Sequence, residues 1–261
     1  MTTTIHPTAI VETGAKLGEN VSIGPYCIVG AHVNIGAGTV LYSHVVLAGH
    51  TTLGAENHVF PFVSLGQPPQ DLKYHGEASR LVIGSRNQIR EYVTMHPGTA
   101  EDREETTVGD DNLFMASSHV AHDCVVGNGC IFANGATLAG HVTVEDGGRI
   151  GGLSAVAQFV RIGREAFVGG HVGVERDIPP FSKFTRREEI VPNTVGLRRK
   201  GLEKDEIVAL AAMFEQLYGE DRTMPLTDLA QQLLTESQYS SQKTVLEFIL
   251  SGQRKREANG S

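Results

Sequence analysis

Aliphatic residues recur every six positions along most of this chain. Counting from Ile5, the positions Val11, Leu17, Ile23, Val29, Ile35, Leu41, Leu47, Leu53, Val59 and Leu65 are all aliphatic. A short second run reads Ile83, Ile89, Met95. A third starts at Val108 and passes through Phe114, Val120, Val126, Phe132, Leu138, Val144, Ile150, Val156, Ile162 and Val168 to Val174. Glycine often follows the apolar residue, as at Gly18, Gly24, Gly127 and Gly163, and a compact side chain sits two residues before it, as at Ala15, Thr39 and Ala136. A period of six fits neither a 3.6-residue helix nor ordinary hairpins. It predicts a solenoid of short strands that turn at glycine-assisted corners, each coil burying its neighbour. Cys27, Cys124 and Cys130 all fall on the compact inward position, so they read as core packing and not as zinc ligands.

The period breaks twice. Residues 67–80, "QPPQDLKYHGEASR", and residues 97–107, "PGTAEDREETT", are polar, and the second break displaces the register by one. Loops that leave a solenoid without disrupting it commonly line its binding face. Beyond Val174 a proline-marked exit leads into helical patterning. In "LEKDEIVALAAMFEQLYG", Ile207, Leu210, Ala211, Phe214 and Leu217 share a face, with Gly219 as a stop. Two shorter helices are expected at 226–236 and 243–251, then a frayed tail, "GQRKREANGS". The expected division is a solenoid over 1–185 and a helical domain over 186–261.

Composition narrows the classes. Thirty Asp and Glu against 22 Lys and Arg give a net charge of −8, which argues against broad nucleic-acid binding. With 6% aromatics and no tryptophan, the core must be built from small and branched aliphatics. No run approaches the roughly 20 apolar residues of a membrane span, and "MTTTIHPTAIVETG" lacks the basic and apolar regions of a secretory signal. Three cysteines are an odd number for a disulfide framework. A cytoplasmic protein with no membrane insertion is the expectation.

The stretch "SSHVAHDCVVG" concentrates the candidate chemistry. His119 and His122 would share a helix face and suggest a metal site. On strand backbone they stand about 10 Å apart, which leaves only a metal shared between subunits. His32, His44, His50, His141 and His171 all sit three residues after an inward aliphatic and read as generic outer positions. Gly140 stands one 18-residue coil above His122, so "LAGH" should lie close to "AHD".

Taken together, "IHPTAIVETGAKLG", "QDLKYHGE", "HVAHDCVVGNGCIFANGATLAGHV", "GGLSAVAQFVRIG" and "NTVGLRRKG" resemble the UDP-N-acetylglucosamine O-acyltransferase family. The bare repeat is shared by many acyltransferases; "QDLKY", "AHDC" and "NTVGLRR" in one chain are far more specific. The resemblance implies a mainly β fold, a left-handed parallel β-helix of hexapeptide repeats with a C-terminal α-helical domain. It also implies a homotrimer with clefts between subunits. The implied reaction moves a 3-hydroxyacyl chain from the phosphopantetheine thioester of acyl carrier protein to the 3-hydroxyl of UDP-N-acetylglucosamine. That is the first step of lipid A biosynthesis, with no cofactor and no metal.

By the same resemblance His122 is the general base, Asp123 orients its imidazole, and the Gly140 N–H stabilises the oxyanion. Gln70, Asp71 and Lys73 belong to the acceptor-binding loop. His96, His119, His141 and Gln158 are cleft contacts, and Asn193 and Arg199 meet the nucleotide or the pantetheine. Gly170 occupies the position where bulk limits acyl length, and a glycine there leaves room for a longer chain. Basic residues at Arg186, Arg187, Arg198, Arg199 and Lys200 could steer an acidic carrier protein despite the negative net charge. Three positions depart from the family: Ala157 replaces a histidine, Val195 an acid and Lys200 an arginine. Two other readings stay open, acylation of a 3-amino sugar nucleotide and a zinc hydratase of the γ-carbonic anhydrase type.

Overall fold

The computed structural model describes residues 2–258, with side chains through Gly252. Two-residue strands recur along the hexapeptide register and stack into three sheets of eleven, nine and eight strands, parallel except for the last strand of the first. The sheets are the faces of a triangular prism. The first face starts at Thr4–Ile5, the second at Ile10–Val11 and the third at Lys16–Leu17. Partners in adjacent coils stand 18 residues apart, as in Ile5↔Ile23. Beyond the first coil each two-residue strand turns its first side chain outward and buries its second, and Leu47, Leu65, Phe114, Val120 and Leu138 are fully enclosed. Among the described residues nothing stacks beneath the first coil, and the inward-register Ile5 is 47% exposed there.

Compact residues two before each aliphatic fill the corners from inside. All three cysteines are buried there, as their register requires. Buried asparagines at the same step do different work. The Asn87 and Asn112 amides donate to the side-chain oxygens of Asn57 and Asn87 at 2.9 Å each, and Cys130 N donates to Asn112 Oδ1 at 2.7 Å. This ladder satisfies amides that the narrow corner hides from water.

Corners also demand left-handed backbone, which L-residues adopt at a cost. His44, Phe62, Tyr92, Asp123, His141 and Phe159 all have φ between 57° and 66°. Stacking offsets some of that cost: Tyr26, His44, Phe62 and Tyr92 form a column between the first and second faces, with centroids 4.9 to 5.2 Å apart.

The two polar segments are loops inserted in consecutive coils. Partner spacing grows to 30 at Leu53↔Ile83 and to 25 at Ile83↔Val108. The second insertion is not a multiple of six, which is why the register slips by one. Both loops leave at the corner between the second and third faces.

After Gly173–Val174 the chain adds the strand Ser182–Phe184 to the first face and turns back in Ile190–Pro192, antiparallel to it. Residues 190–192 are therefore strand, and helix begins at Thr194. The helices are α1 (Thr194–Arg199), α2 (Lys204–Tyr218), α3 (Leu226–Glu236) and α4 (Ser240–Ala258). α2 buries the Ile207, Leu210, Phe214 and Leu217 stripe, joined by Met213. α4 is longer than the expected 243–251 and runs on through the segment expected to fray; residues 259–261 of that tail lie outside the described residues. Arg161 fixes α4 to the third face. Its guanidinium bonds Asp177, the Phe248 carbonyl and Ser251 Oγ, and lies 4.1 Å from the Phe248 ring centroid. Gly252 leaves space for it, since a Cβ there would overlap Arg161 Nη2.

Candidate active site

The corner between the second and third faces gathers most of the candidate residues. Successive coils place His122, Gly140 and Gln158 at one step, and Asp123, His141 and Phe159 at the next. The sequence period alone put Gly140 over His122, and the structure agrees. A Cβ on Gly140 would lie 2.6 Å from His122 Nε2, so only glycine fits beside this imidazole.

Asp123 is 2% exposed yet charged. Burial alone would raise its pKa, but hydrogen bonds from His122, the Thr99 hydroxyl and amide and the Arg103 amide outweigh it and hold the carboxyl below its ordinary value. Thr99 Oγ1 donates at 2.7 Å, Thr99 N at 3.0 Å and Arg103 N at 3.3 Å. Gly98 makes this docking possible, because a Cβ there would meet Asp123 Oδ1 at 2.8 Å. The remaining donor is His122 Nδ1, 2.9 Å from Asp123 Oδ2. A carboxylate at that distance fixes the proton on Nδ1. The Nε2 of a neutral His122 then carries a free lone pair, the form a general base needs.

Around this pair lie most of the expected cleft residues. Asp71 reaches from the first loop to place Oδ2 3.7 Å from His122 Nε2. His141 stands perpendicular to His122 with ring centroids 4.9 Å apart. His119 Nδ1 is 2.7 Å from Thr94 Oγ1, and His96 packs edge-on against His119. Burial, with the like charges of His119 and His122, lowers the His96 pKa to about 4, so it is neutral at physiological pH. Burial likewise lowers His119, and among the described residues neither ring has a carboxylate partner like that of His122. Lys73 pairs with Glu101 at 2.7 Å, both exposed, and Gln70 and Gln158 are exposed nearby on loop and corner.

Three expected residues lie elsewhere. Gly170 is exposed at the corner between the first and second faces. Asn193 and Arg199 line a cavity of about 450 Å³ against the first face, with Arg149, Phe167, Lys183 and Lys200. Asn193 also has a local task, since its Oδ1 accepts from Gly196 N and caps α1. Of the departures, Val195 lines this cavity and Lys200 pairs with Glu165 at 2.8 Å. A larger cavity of about 630 Å³ lies under the helices around Arg161 and Tyr218 and contains none of the histidines.

His122, Asp123 and His141 are close enough to share an ion. The donor set argues otherwise: both Asp123 oxygens are engaged by N–H and O–H donors, and His122 Nδ1 is held by one of them. Sequence reading passed over Thr99, Asp102 and Phe159. Asp102 Oδ2 is 2.8 Å from His141 Nδ1, and Phe159 stacks on His141 at 4.5 Å. Asp102 sits in a charge-rich run that reads as a solvated loop, and no spacing rule points 39 residues ahead to its partner.

Residues 105–140 match the model for bacterial transferase hexapeptide repeats, and residues 177–257 match that for UDP-N-acetylglucosamine O-acyltransferase, domain 2. An acyl-[acyl-carrier-protein]–UDP-N-acetylglucosamine O-acyltransferase of Aliarcobacter butzleri is 48% identical, covering 96% of each chain. One from Paraburkholderia phymatum is 51% identical over 87% of this chain and 89% of its own. Among solved structures, a UDP-N-acetylglucosamine acyltransferase from Campylobacter jejuni superposes with a TM-score of 0.87 at 38% identity, covering 94% of this chain and 96% of that one. Another of the same description gives 0.89 at 40% identity, covering 94% and 95%. The coil winds left-handed, as it does in those structures. With these identities running nearly end to end, the chain belongs to the UDP-N-acetylglucosamine O-acyltransferase family of hexapeptide-repeat acyltransferases.

Proposed function

We propose that this chain transfers a 3-hydroxyacyl group from the phosphopantetheine thioester of acyl carrier protein to the 3-hydroxyl of UDP-N-acetylglucosamine, opening lipid A biosynthesis in the cytoplasm. The observation that carries the mechanism is the buried Asp123–His122 pair with Gly140 against its reactive edge. A sugar hydroxyl is barely ionised at neutral pH, so its attack needs a base. His122 Nε2 takes the hydroxyl proton as the oxygen bonds to the thioester carbon. Asp123 stabilises the imidazolium that forms. The carbonyl oxygen becomes an oxyanion, and the Gly140 N–H serves it. That amide donates no hydrogen bond among the described residues, and neither do the equivalent amides of His122 and Gln158 on the same corner, so it is free to serve the oxyanion. Collapse of the intermediate breaks the carbon–sulfur bond, and the imidazolium returns its proton to the leaving sulfur. Such a base contributes about 10²–10⁴-fold and one oxyanion donor about 10²–10³-fold. No metal or other cofactor enters this scheme.

A homotrimer fits the division of the site. Within one chain, His122 lies on one corner of the prism while Gly170 lies on another and Arg199 against the first face. A neighbouring copy would bring the second group to the first and cover the exposed Tyr26, Phe62 and Tyr92 column. Acyl carrier proteins bearing several 3-hydroxyacyl lengths, offered with 3-hydroxy and 3-amino sugar nucleotides and resolved by mass spectrometry, test the reading. Ester formation supports it. Exclusive amide formation would move the acceptor to the amine, and no product from any pair would refute acyl transfer.

A further inference from the structure

The site holds a second carboxylate–imidazole pair that the scheme above leaves without a role. His141 Nδ1 is 2.8 Å from Asp102 Oδ2, which fixes a proton on Nδ1 just as Asp123 does for His122. The ring is otherwise caught between two neighbours. Phe159 lies parallel to it at 8° and 4.5 Å, and His122 stands at 90° to it. These contacts set the plane of the ring but not its flip. A half-turn about the Cβ–Cγ bond keeps the plane and exchanges Nδ1 with Cδ2 and Nε2 with Cε1. Stacking on Phe159 is nearly indifferent to that exchange. Only the carboxylate distinguishes the two orientations.

We propose that Asp102 is a positioning residue for the chemical step: it selects one flip and one tautomer of His141, so that Nε2 is the nitrogen offered to the reacting groups beside Gly140. The segment carrying Asp102 is itself braced. Thr99, three residues earlier, grips Asp123 through its hydroxyl and amide. Glu77 of the first loop accepts from Ala100 N at 3.1 Å, and Lys73 pairs with Glu101. One loop therefore orients both imidazoles, His122 through Asp123 and His141 directly. Arg103, with Nε 4.0 Å from Asp102 Oδ2, is the one lysine or arginine paired with this carboxylate among the described residues.

The inference rests on the acyl-transfer reading, so its test includes a readout that needs no turnover. In Asp102→Ala, ¹⁵N NMR of the imidazoles should show His141 losing its single Nδ1–H tautomer while His122 keeps its own. The kcat should fall about tenfold with KM for the sugar nucleotide within about threefold, because the loss is in orientation and not in ground-state binding. Asp102→Glu should recover most of the rate. In a His141→Ala background, Asp102→Ala should change nothing further, since the carboxylate acts through that ring. An unchanged His141 tautomer would overturn the proposal. So would a kcat within twofold of wild type, or a full additional loss in the double variant. A wild type with no acyl transfer would remove the functional reading while the tautomer result stood on its own.

Discussion

Gly140→Ala is the smallest change that should disable this site. The glycine has ordinary negative φ, so alanine strains no backbone there. The added Cβ would lie 2.5 Å from His122 Cε1, 2.6 Å from Nε2 and 3.1 Å from Nδ1. A relaxed carbon contact needs about 3.5–4.0 Å, so the imidazole or the corner must give by about 1 Å. The imidazole is not free to move. Its Nδ1 is tied to Asp123, and Asp123 to Thr99 and Arg103. A displacement of about 1 Å in a catalytic group costs on the order of 10²-fold in rate. The Gly140 N–H survives the substitution, so the loss reports on the base. Overpacking of this kind destabilises by about 1–3 kcal/mol, which leaves a coil of this size folded. The assay is initial-rate acyl transfer beside a thermal melt. Activity within threefold of wild type, with the fold intact, would refute the steric argument.

Other changes address separate parts of the account. His96 is neutral in the folded protein down to about pH 4, whereas in the unfolded chain it binds a proton near its ordinary 6.5. The unfolded state then takes up the extra proton between those values, and stability falls as the pH drops through that window, by about 3 kcal/mol. His96→Gln should flatten urea-denaturation stability between pH 7 and 4, and an unchanged slope would contradict the assignment. Asp123, held below its ordinary value, contributes acid lability only below about pH 4, so the two windows separate. Thr99→Val removes a 2.7 Å hydroxyl bond to a buried carboxylate. It should lower kcat about tenfold, with Thr99→Ser restoring most of it; equal loss in both would point to packing. At Gly170 a Cβ meets only Gly152 within 4 Å, with its O at 3.3 Å, so Gly170→Met should fold normally and shift preference toward shorter acyl chains. An unchanged chain-length profile would rule out a ruler at this corner.

The solenoid was legible because its period has one physical cause. Every sixth side chain points into a narrow prism, and Leu47, Val120 or Leu138 could be assigned inward without any coordinates. The same period put Gly140 beside His122, since equivalent corners repeat every coil. Contacts made by inserted loops obey no such rule. Asp102 to His141, Thr99 to Asp123 and Asp71 to His122 depend on how two irregular segments fold over the corner. The family resemblance supplied Asp71 but neither Thr99 nor Asp102. His141 reads from its register as an outer-surface residue, because three residues past an aliphatic is usually solvent; at this corner Asp102 of the second loop covers it, with His122 and Phe159 on either side. The short α1 was missed for a different reason: "TVGLRR" buries only Leu197 and carries a central glycine, so it has no helical stripe to detect. α4 starts earlier than expected, in "SSQK", polar residues without apolar spacing.

The central claim is that His122 is the base, oriented by Asp123. It is tested most directly by the initial rate of His122→Ala with acyl-loaded carrier protein and UDP-N-acetylglucosamine. The account expects a loss of about 10²–10⁴-fold in kcat, with the thermal melt and assembly state of wild type. Retention of most of the activity by a folded His122→Ala would contradict it.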